Sequence, residues 1–187
     1  MKNLVLASKS PRRKEILSRE NIKFMVEESS FEESSKNLSP TETVVFNAKG
    51  KATEVYTRLN DKNIVVLGAD TVVFINGELL GKPKTEIDAF NMLKKLSNNA
   101  HEVVTGYAVA SEKGVETGYV KTEVIFNQLS DRLISDYIKT GSPMDKAGAY
   151  GIQDNFGIVN RISGSYDNVV GLPIEEIKHA LEKALKD

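Results

Sequence analysis

Cysteine is absent from the 187 residues, and so is tryptophan. Without a thiol the chain has no disulfide, no thiolate metal site and no cysteine nucleophile. Histidine is scarce as well: His101 and His179 are the 2 present, and they make no metal site. His101 opens a predicted strand, where a structural role is expected, and His179 falls on an exposed position of a terminal helix. No Ser-His-Asp pattern stands at a nucleophile elbow, no Walker A loop occurs, and GxGxxG is missing. Neither sign of charge dominates, because 25 Lys+Arg stand against 26 Asp+Glu for a formal net charge of -1. No global field therefore recruits nucleic acid or an anionic membrane, and an anionic ligand needs a local positive patch. Long apolar runs are missing too. The run at residues 64–69 is among the longest, against the ~20 residues of a membrane helix. The N-terminal MKNLVLASKSPRR has no signal-length apolar region. The expectation is a cytoplasmic protein with neither nucleic acid nor membrane as partner.

What is present suits an ordinary globule: 40% hydrophobic and 27% charged residues. The length fits one domain, or two lobes sharing a core, and no linker or internal repeat divides residues 1–187. Residues 3–7 read as a buried strand, broken at residues 8–11. Pro11 suits the first turn of a helix over 11–20, and residues 22–26 read as a second strand. Residues 27–39 (EESSFEESSKNLS) are acidic, serine-rich and aperiodic, the kind of stretch that is functional or disordered. Ser39-Pro40-Thr41-Glu42 is a capping box with proline at N1, predicting a helix over about 40–58. Residues 63–69 read as a central strand ending at Gly68-Ala69-Asp70. A hairpin follows around Asn76-Gly77. Ile87, Phe90, Leu93 and Leu96 lie at helical spacing. Residues 101–111 and 115–128 alternate as long antiparallel strands, and Ser130 caps a helix that stops at Gly141. Residues 145–157 are glycine-rich, 157–163 and 166–170 read as short strands, and Pro173 opens a terminal helix. Strands and helices interleave with hairpins, which predicts α/β with a mixed sheet.

Four constellations carry chemistry. At Ser8-Lys9-Ser10-Pro11-Arg12-Arg13-Lys14, three consecutive cations oppose the positive end of a helix. Either the turn is solvated and basic, or an anion sits among the cations. Hydroxyls, helix amides and guanidinium forks suit phosphate oxygens. Asp70, at a strand end, is placed to hold a metal or act as general base, or else to close an Asx-turn. Thr71 beside it reads as a strand residue. Glu32-Glu33 in the acidic loop reads alone as a solvated run. Residues 145–153 (DKAGAYGIQ) allow a close backbone approach to a ligand, or form a tight structural loop. Lys51 and Lys82, taken singly, read as surface charges. Acids beside phosphates repel them, at about 4 kcal/mol per unit charge pair at 4 Å and an effective dielectric of 20. A site joining Arg12, Arg13, lysines, Asp70 and Glu33 is therefore consistent with a divalent cation that bridges carboxylates and phosphate. The residues allow metal-assisted hydrolysis of a phosphoanhydride.

The Ser8–Arg13 segment resembles the Maf family of nucleoside triphosphate pyrophosphatases, also named for septum formation inhibition. Further ordered blocks carry the resemblance along the chain: GADTVV at 68–73, GKP at 81–83, residues 92–97 with 101–106, DKAGAYGIQ at 145–153 and YDNVVGLP at 166–173. The resemblance implies a single domain over residues 1–187. It implies a mixed, largely antiparallel-extended sheet flanked by helices, with two lobes around a cleft, similar to the inosine triphosphatase architecture. It implies cleavage between the α and β phosphorus with Mg²⁺ or Mn²⁺, and homodimers are common in such proteins. In that pattern Asp70 is the proton acceptor and shares a metal with Glu33, with Glu32 the neighbouring choice. Ser8, Ser10, Arg12, Arg13, Lys51 and Lys82 hold the triphosphate. Arg12, Thr71 and Gln153 match the positions tied to base choice, and the GAYGIQ form resembles the branch that prefers dTTP and UTP. A glutamine amide can pair with the donor–acceptor edge of a uracil-type base. The turn at 96–101 (LSNNAH) lacks the glycine usual after Leu-Ser. Two other readings are a nucleotide-binding regulator of septum formation that acts through a partner, and a pyrophosphatase of a modified purine nucleotide.

Overall fold

The computed structural model describes residues 2–186. The strands are β1 (Asn3–Leu6), β2 (Phe24–Val26), β3 (Ile64–Ile75), β4 (Glu78–Leu80), β5 (Ala100–Ser111), β6 (Gly114–Phe126) and β7 (Val159–Ser163). The α-helices are α1 (Pro11–Arg19), α2 (Pro40–Leu59), α3 (Glu86–Leu96), α4 (Asp131–Lys139), α5 (Tyr166–Val170) and α6 (Ile174–Lys186). The strands pair in the order β2-β1-β3-β5-β6-β7, with β4 beside β3, so the sheet has seven strands among the described residues. It is mixed. β1 pairs in parallel with β2 and β3, while β3–β4 and β6–β7 are antiparallel. The α/β class read from the interleaved pattern is the one found.

The chain divides into two compact units. The first comprises Met1–Thr71, Thr105–Val120 and Gly171–Asp187; the second comprises Val72–Val104 and Lys121–Val170. Within the first, the parallel order β2-β1-β3 means that the chain leaves β1 in one direction and later returns across it to β3. Such a reversal of direction is where open α/β sheets place ligands, at the carboxyl end of the strand concerned. Val5, Ala7, Val66, Ala108 and Ala110 meet Ala48, Ala52 and Val55 of α2 in one buried cluster. Two glycines seat α2 on the strands. A Cβ at Gly68 would lie 2.4 Å from the Ala48 carbonyl oxygen, and one at Gly106 would lie 2.4 Å from the Val44 carbonyl carbon. Side chains at these two positions would push the helix off the sheet. In the second unit Val73, Leu93, Leu96, Val124, Phe126, Ile134 and Tyr137 form a separate core. Each fully buried aliphatic side chain contributes about 1.5–3 kcal/mol.

Two expectations are corrected. The strand read as ending at Asp70 runs on to Ile75 as part of a twelve-residue β3. Parallel pairing with β1 stops at Leu6–Leu67, but Thr71 and the apolar residues after it stay extended, and Val73–Ile75 pair with β4 across the Asn76-Gly77 turn. Both turn residues have positive φ, 49° and 85°, as a two-residue hairpin requires. Residues 166–170, read as a strand, form α5. The Ser165 hydroxyl caps it by accepting from the Asn168 amide at 3.1 Å, and Asn168 spends its side-chain N–H groups on Val103 O and Thr122 Oγ1, both at 3.0 Å.

Candidate functional site

The period of two along β3 puts Asp70 and Thr71 on opposite faces of the strand. Asp70 shares its face with Gly68, so it points at α2. It is 6% exposed. Lys51 Nζ donates to Asp70 Oδ1 at 3.0 Å and to the Ala69 carbonyl at 3.3 Å, and it pairs with Glu33 Oε1 at 2.6 Å. One buried ammonium thus spends its three N–H groups on two carboxylates and a carbonyl. Asn47, one turn earlier on α2, donates from Nδ2 to Asp70 Oδ2 at 2.9 Å. Rather than closing an Asx-turn, the carboxylate has both oxygens held from α2 among the described residues. Lys51, read singly as a surface charge, is instead 9% exposed, because the close seat of α2 on Gly68 carries it inward.

Thr71, on the other face, bonds Thr105 Oγ1 at 2.9 Å and accepts from Arg13 Nη2 at 3.2 Å. Arg13 also donates from Nε to the Gly171 carbonyl at 2.8 Å and from Nη1 to Ser8 Oγ at 3.1 Å. The guanidinium therefore braces the β1–α1 turn against β3 and the start of the Gly171 segment. Desolvation lowers its pKa from the ordinary arginine value; Asp70 and Glu33 oppose that shift and Arg12 adds to it. Ser10 caps α1 by accepting from the Arg13 amide, and no acidic residue stands in the first helical turn. Ser8, Ser10, Arg12 and Arg13 thus gather on one turn, tied through Thr71 to the strand that carries Asp70. Glu33 meets the same group through Lys51. Its side chain is 55% exposed, as expected of a loop acid.

Lys82 and Gln153 belong to the second unit. Lys82 is exposed. The segment that bears Gln153 is three short 3-10 turns, over Ser142–Asp145, Ala147–Ala149 and Ile152–Asp154. Its glycines serve internal packing. A Cβ at Gly148 would lie 2.9 Å from Val73, and one at Gly151 would lie 2.7 Å from Lys146 Cε. Lys146 is buried and donates to Ser142 O at 2.6 Å and Asp145 Oδ1 at 3.0 Å. The Tyr137 hydroxyl bonds Asp154 and accepts from the Gly151 amide at 2.9 Å. On this scaffold Gln153 Oε1 is buried and finds no hydrogen-bond partner among the described residues. His101 packs edge-on against Phe126 and Tyr150 and shares a 2.8 Å bond with the Tyr150 hydroxyl. Burial lowers its pKa to about 4. His179 is exposed.

Among the described residues no three or more His, Cys, Asp or Glu side chains gather as a metal cage. A Mg²⁺-type site asks for less: one or two carboxylates plus substrate oxygens. Asp70 and Glu33 satisfy that demand in kind. Both are hard oxygen donors, and both already converge on one cation, the Lys51 ammonium.

Asn47 escaped the sequence reading. Its signal lay in the phase of the capped helix: positions 47 and 51 are one turn apart, so a lysine facing Asp70 brings position 47 to the same face.

Comparison with known proteins shows what the chain is similar to. The chain is 53% identical to a dTTP/UTP pyrophosphatase of Thermococcus kodakarensis over 93% of each chain. It is 48% identical to one of Bacillus pumilus, over 97% of this chain and 96% of that one. With one of Clostridium tetani the figure is 42%, over 97% of both. Among solved structures the Staphylococcus aureus Ham1 protein superimposes with a TM-score of 0.52 at 18% identity, covering 97% of this chain and 99% of that one, a likeness of fold. A family model described as Maf-like protein matches residues 3–184. With that match and these full-length relatives, the chain belongs to the Maf-like protein family.

Proposed function

We propose that this chain hydrolyses dTTP and UTP, and modified pyrimidine triphosphates, to the nucleoside monophosphate and pyrophosphate. The observation that carries the reading is the buried Asp70 carboxylate, held by Asn47 and Lys51 and linked through Thr71 and Arg13 to the Ser8–Arg13 turn. The names of the curated relatives support the substrate. Full-length matches support reading residues 1–187 as one functional domain.

In this reading Ser8, Ser10 and Arg12 bind phosphate oxygens, joined by the two N–H groups that Arg13 does not spend on its three protein acceptors. Lys51 exchanges its Glu33 contact for phosphate. Asp70 accepts a proton from a water molecule as that water attacks the α-phosphorus. The bond from the α-phosphorus to the bridging oxygen breaks, and pyrophosphate leaves. The cationic turn stabilises the charge that develops on it. Mg²⁺ or Mn²⁺, held by Asp70 and Glu33, supplies charge neutralisation when bound. Lys82 holds phosphate, and Arg12, Thr71 and Gln153 choose the base. The unpartnered Gln153 Oε1 suits the imide N–H of a uracil-type ring. No helix among the described residues is long and apolar enough to cross a membrane, and nucleotide substrates suit a cytoplasmic site of action. Sedimentation of the pure chain tests the homodimer implied by the resemblance.

The test is a panel of common and modified triphosphates, with and without Mg²⁺ or Mn²⁺, with pyrophosphate and orthophosphate measured separately. Metal-dependent pyrophosphate from dTTP and UTP is expected. Orthophosphate as the first product contradicts the mechanism, and a folded protein inert to every nucleotide contradicts the function.

A further inference from the structure

The acidic loop after β2 has no repeating structure of its own, yet residues 27–34 lie along one face of α2. Arg58 Nη2 donates to the Glu28 carbonyl at 2.9 Å. Glu54 accepts from Ser29 Oγ at 2.8 Å and from the Ser30 amide at 3.1 Å. The Phe31 ring fills the space over Gly50, where a Cβ would lie 2.3 Å from it. Lys51 holds Glu33. At the end of this row Asn47 Oδ1 accepts from the Ser34 amide at 2.9 Å. Positions 47, 50, 51, 54 and 58 recur at helical spacing, so one face of α2 serves as the loop's dock.

Two members of that row also touch Asp70: Lys51 through its ammonium and Asn47 through its neutral amide. Asn47 is 3% exposed, and its two ends make opposite demands. A backbone N–H only donates, so the oxygen must face Ser34; the amide nitrogen then faces the carboxylate. The orientation of the amide is fixed by chemistry at both ends.

We propose that Asn47 is a positioning residue for the reaction: it couples the seating of the 27–34 loop, and with it Glu33, to the orientation of the Asp70 carboxylate. This rests on the hydrolytic reading above. Asn47 acts through another residue: it fixes Asp70 Oδ2 on one side and the Ser34 amide on the other.

Two variants separate the halves of the claim. Asn47→Ala removes both bonds. Asn47→Asp is isosteric and keeps an acceptor for Ser34, but replaces the neutral N–H donor with a second carboxyl that repels the Asp70 anion or shares a proton with it, and it also stands in if the alanine variant fails to fold. The measurements are kcat and KM for pyrophosphate release from dTTP, and hydrogen exchange at the Ser34 amide. In both variants kcat should fall by about tenfold, with KM within roughly twofold of the parent. Exchange at Ser34 should quicken by about tenfold or more in Asn47→Ala and stay at the parental rate in Asn47→Asp. A folded Asn47→Asp protein with parental kcat overturns the proposal, as does unchanged Ser34 exchange in a folded Asn47→Ala protein. A parent chain that releases no pyrophosphate from any nucleotide defeats the hydrolytic reading, and this proposal with it.

Discussion

Replacing Lys51 by methionine keeps most of the stem that packs between α2 and β3 but deletes the ammonium. The structure sets the size of the loss. The Lys51 side chain is 11% exposed and Asp70 9%, so their 3.0 Å contact is nearly dry. Removing one partner of a buried pair costs about 3–5 kcal/mol, because the remaining charge is left without compensation. Glu33 adds little, since its exposed carboxylate falls in the range of about 0–1 kcal/mol for surface pairs. Asn47 still donates to Asp70, which points to the lower end, about 3 kcal/mol. In a chain of this size 1 kcal/mol moves Tm by about 2–4 °C, so the main unfolding transition should drop by roughly 6–12 °C. Differential scanning calorimetry reads this directly. Adding Asp70→Asn to Lys51→Met should then recover part of the loss, because the stranded charge is gone. A Tm within about 1 °C of the parent, or additive losses in the double variant, would refute the idea that Lys51 neutralises Asp70 in the folded protein.

Asp70→Asn should keep the fold and lower kcat for dTTP by about 10²–10⁴, the range for a lost general base; near-parental kcat removes Asp70 from the mechanism. Gln153→Ala should reduce the kcat/KM preference for UTP over CTP by roughly tenfold, since a site built to pair one base edge loses its discriminating group; unchanged ratios across a nucleotide panel contradict base reading by Gln153. His101 gives a pH signature. Its folded pKa of about 4 lies below the ordinary 6.5, so the unfolded chain binds the extra proton first as pH falls. Its contribution is intact above pH 6.5 and is lost as pH drops towards 4, amounting to roughly 3 kcal/mol. The neutral His101→Gln variant should therefore show a flatter fall of Tm between pH 6.5 and 4; an equal slope in both proteins contradicts a buried neutral imidazole.

Much of the fold could be read where local chemistry decides it. Ser39 Oγ accepts from the Glu42 amide at 3.3 Å and Glu42 accepts from the Ser39 amide at 2.8 Å, so the capping box starts α2 where four residues said it should. Asn76-Gly77 turned the hairpin for the same reason. Misreadings arose where tertiary partners decide. Asp70 looked like a strand terminus because the apolar run stops there, whereas β3 runs on to Ile75 and α2 supplies the donors to the carboxylate. The 166–170 segment carries Tyr and Val, which favour strands, but Ser165 caps it as a helix and Asn168 reaches across to β5 and β6. The acidic loop showed no period because its partners are spaced along α2 rather than along itself. Within the site, residue types at the β1–α1 turn and on β3 were legible. The burial of Lys51 was not, since it depends on Gly68 admitting α2 to the sheet, and Asn47 stayed hidden with it.

Attack of water at the α-phosphorus is the step on which the proposed hydrolysis depends. Hydrolysis of dTTP in ¹⁸O-labelled water, followed by mass spectrometry of both products, tests that in one turnover. Attack at the α-phosphorus places the label in dTMP and leaves pyrophosphate unlabelled. Label in pyrophosphate, or in orthophosphate released first, would contradict an Asp70-directed water at the α-phosphorus.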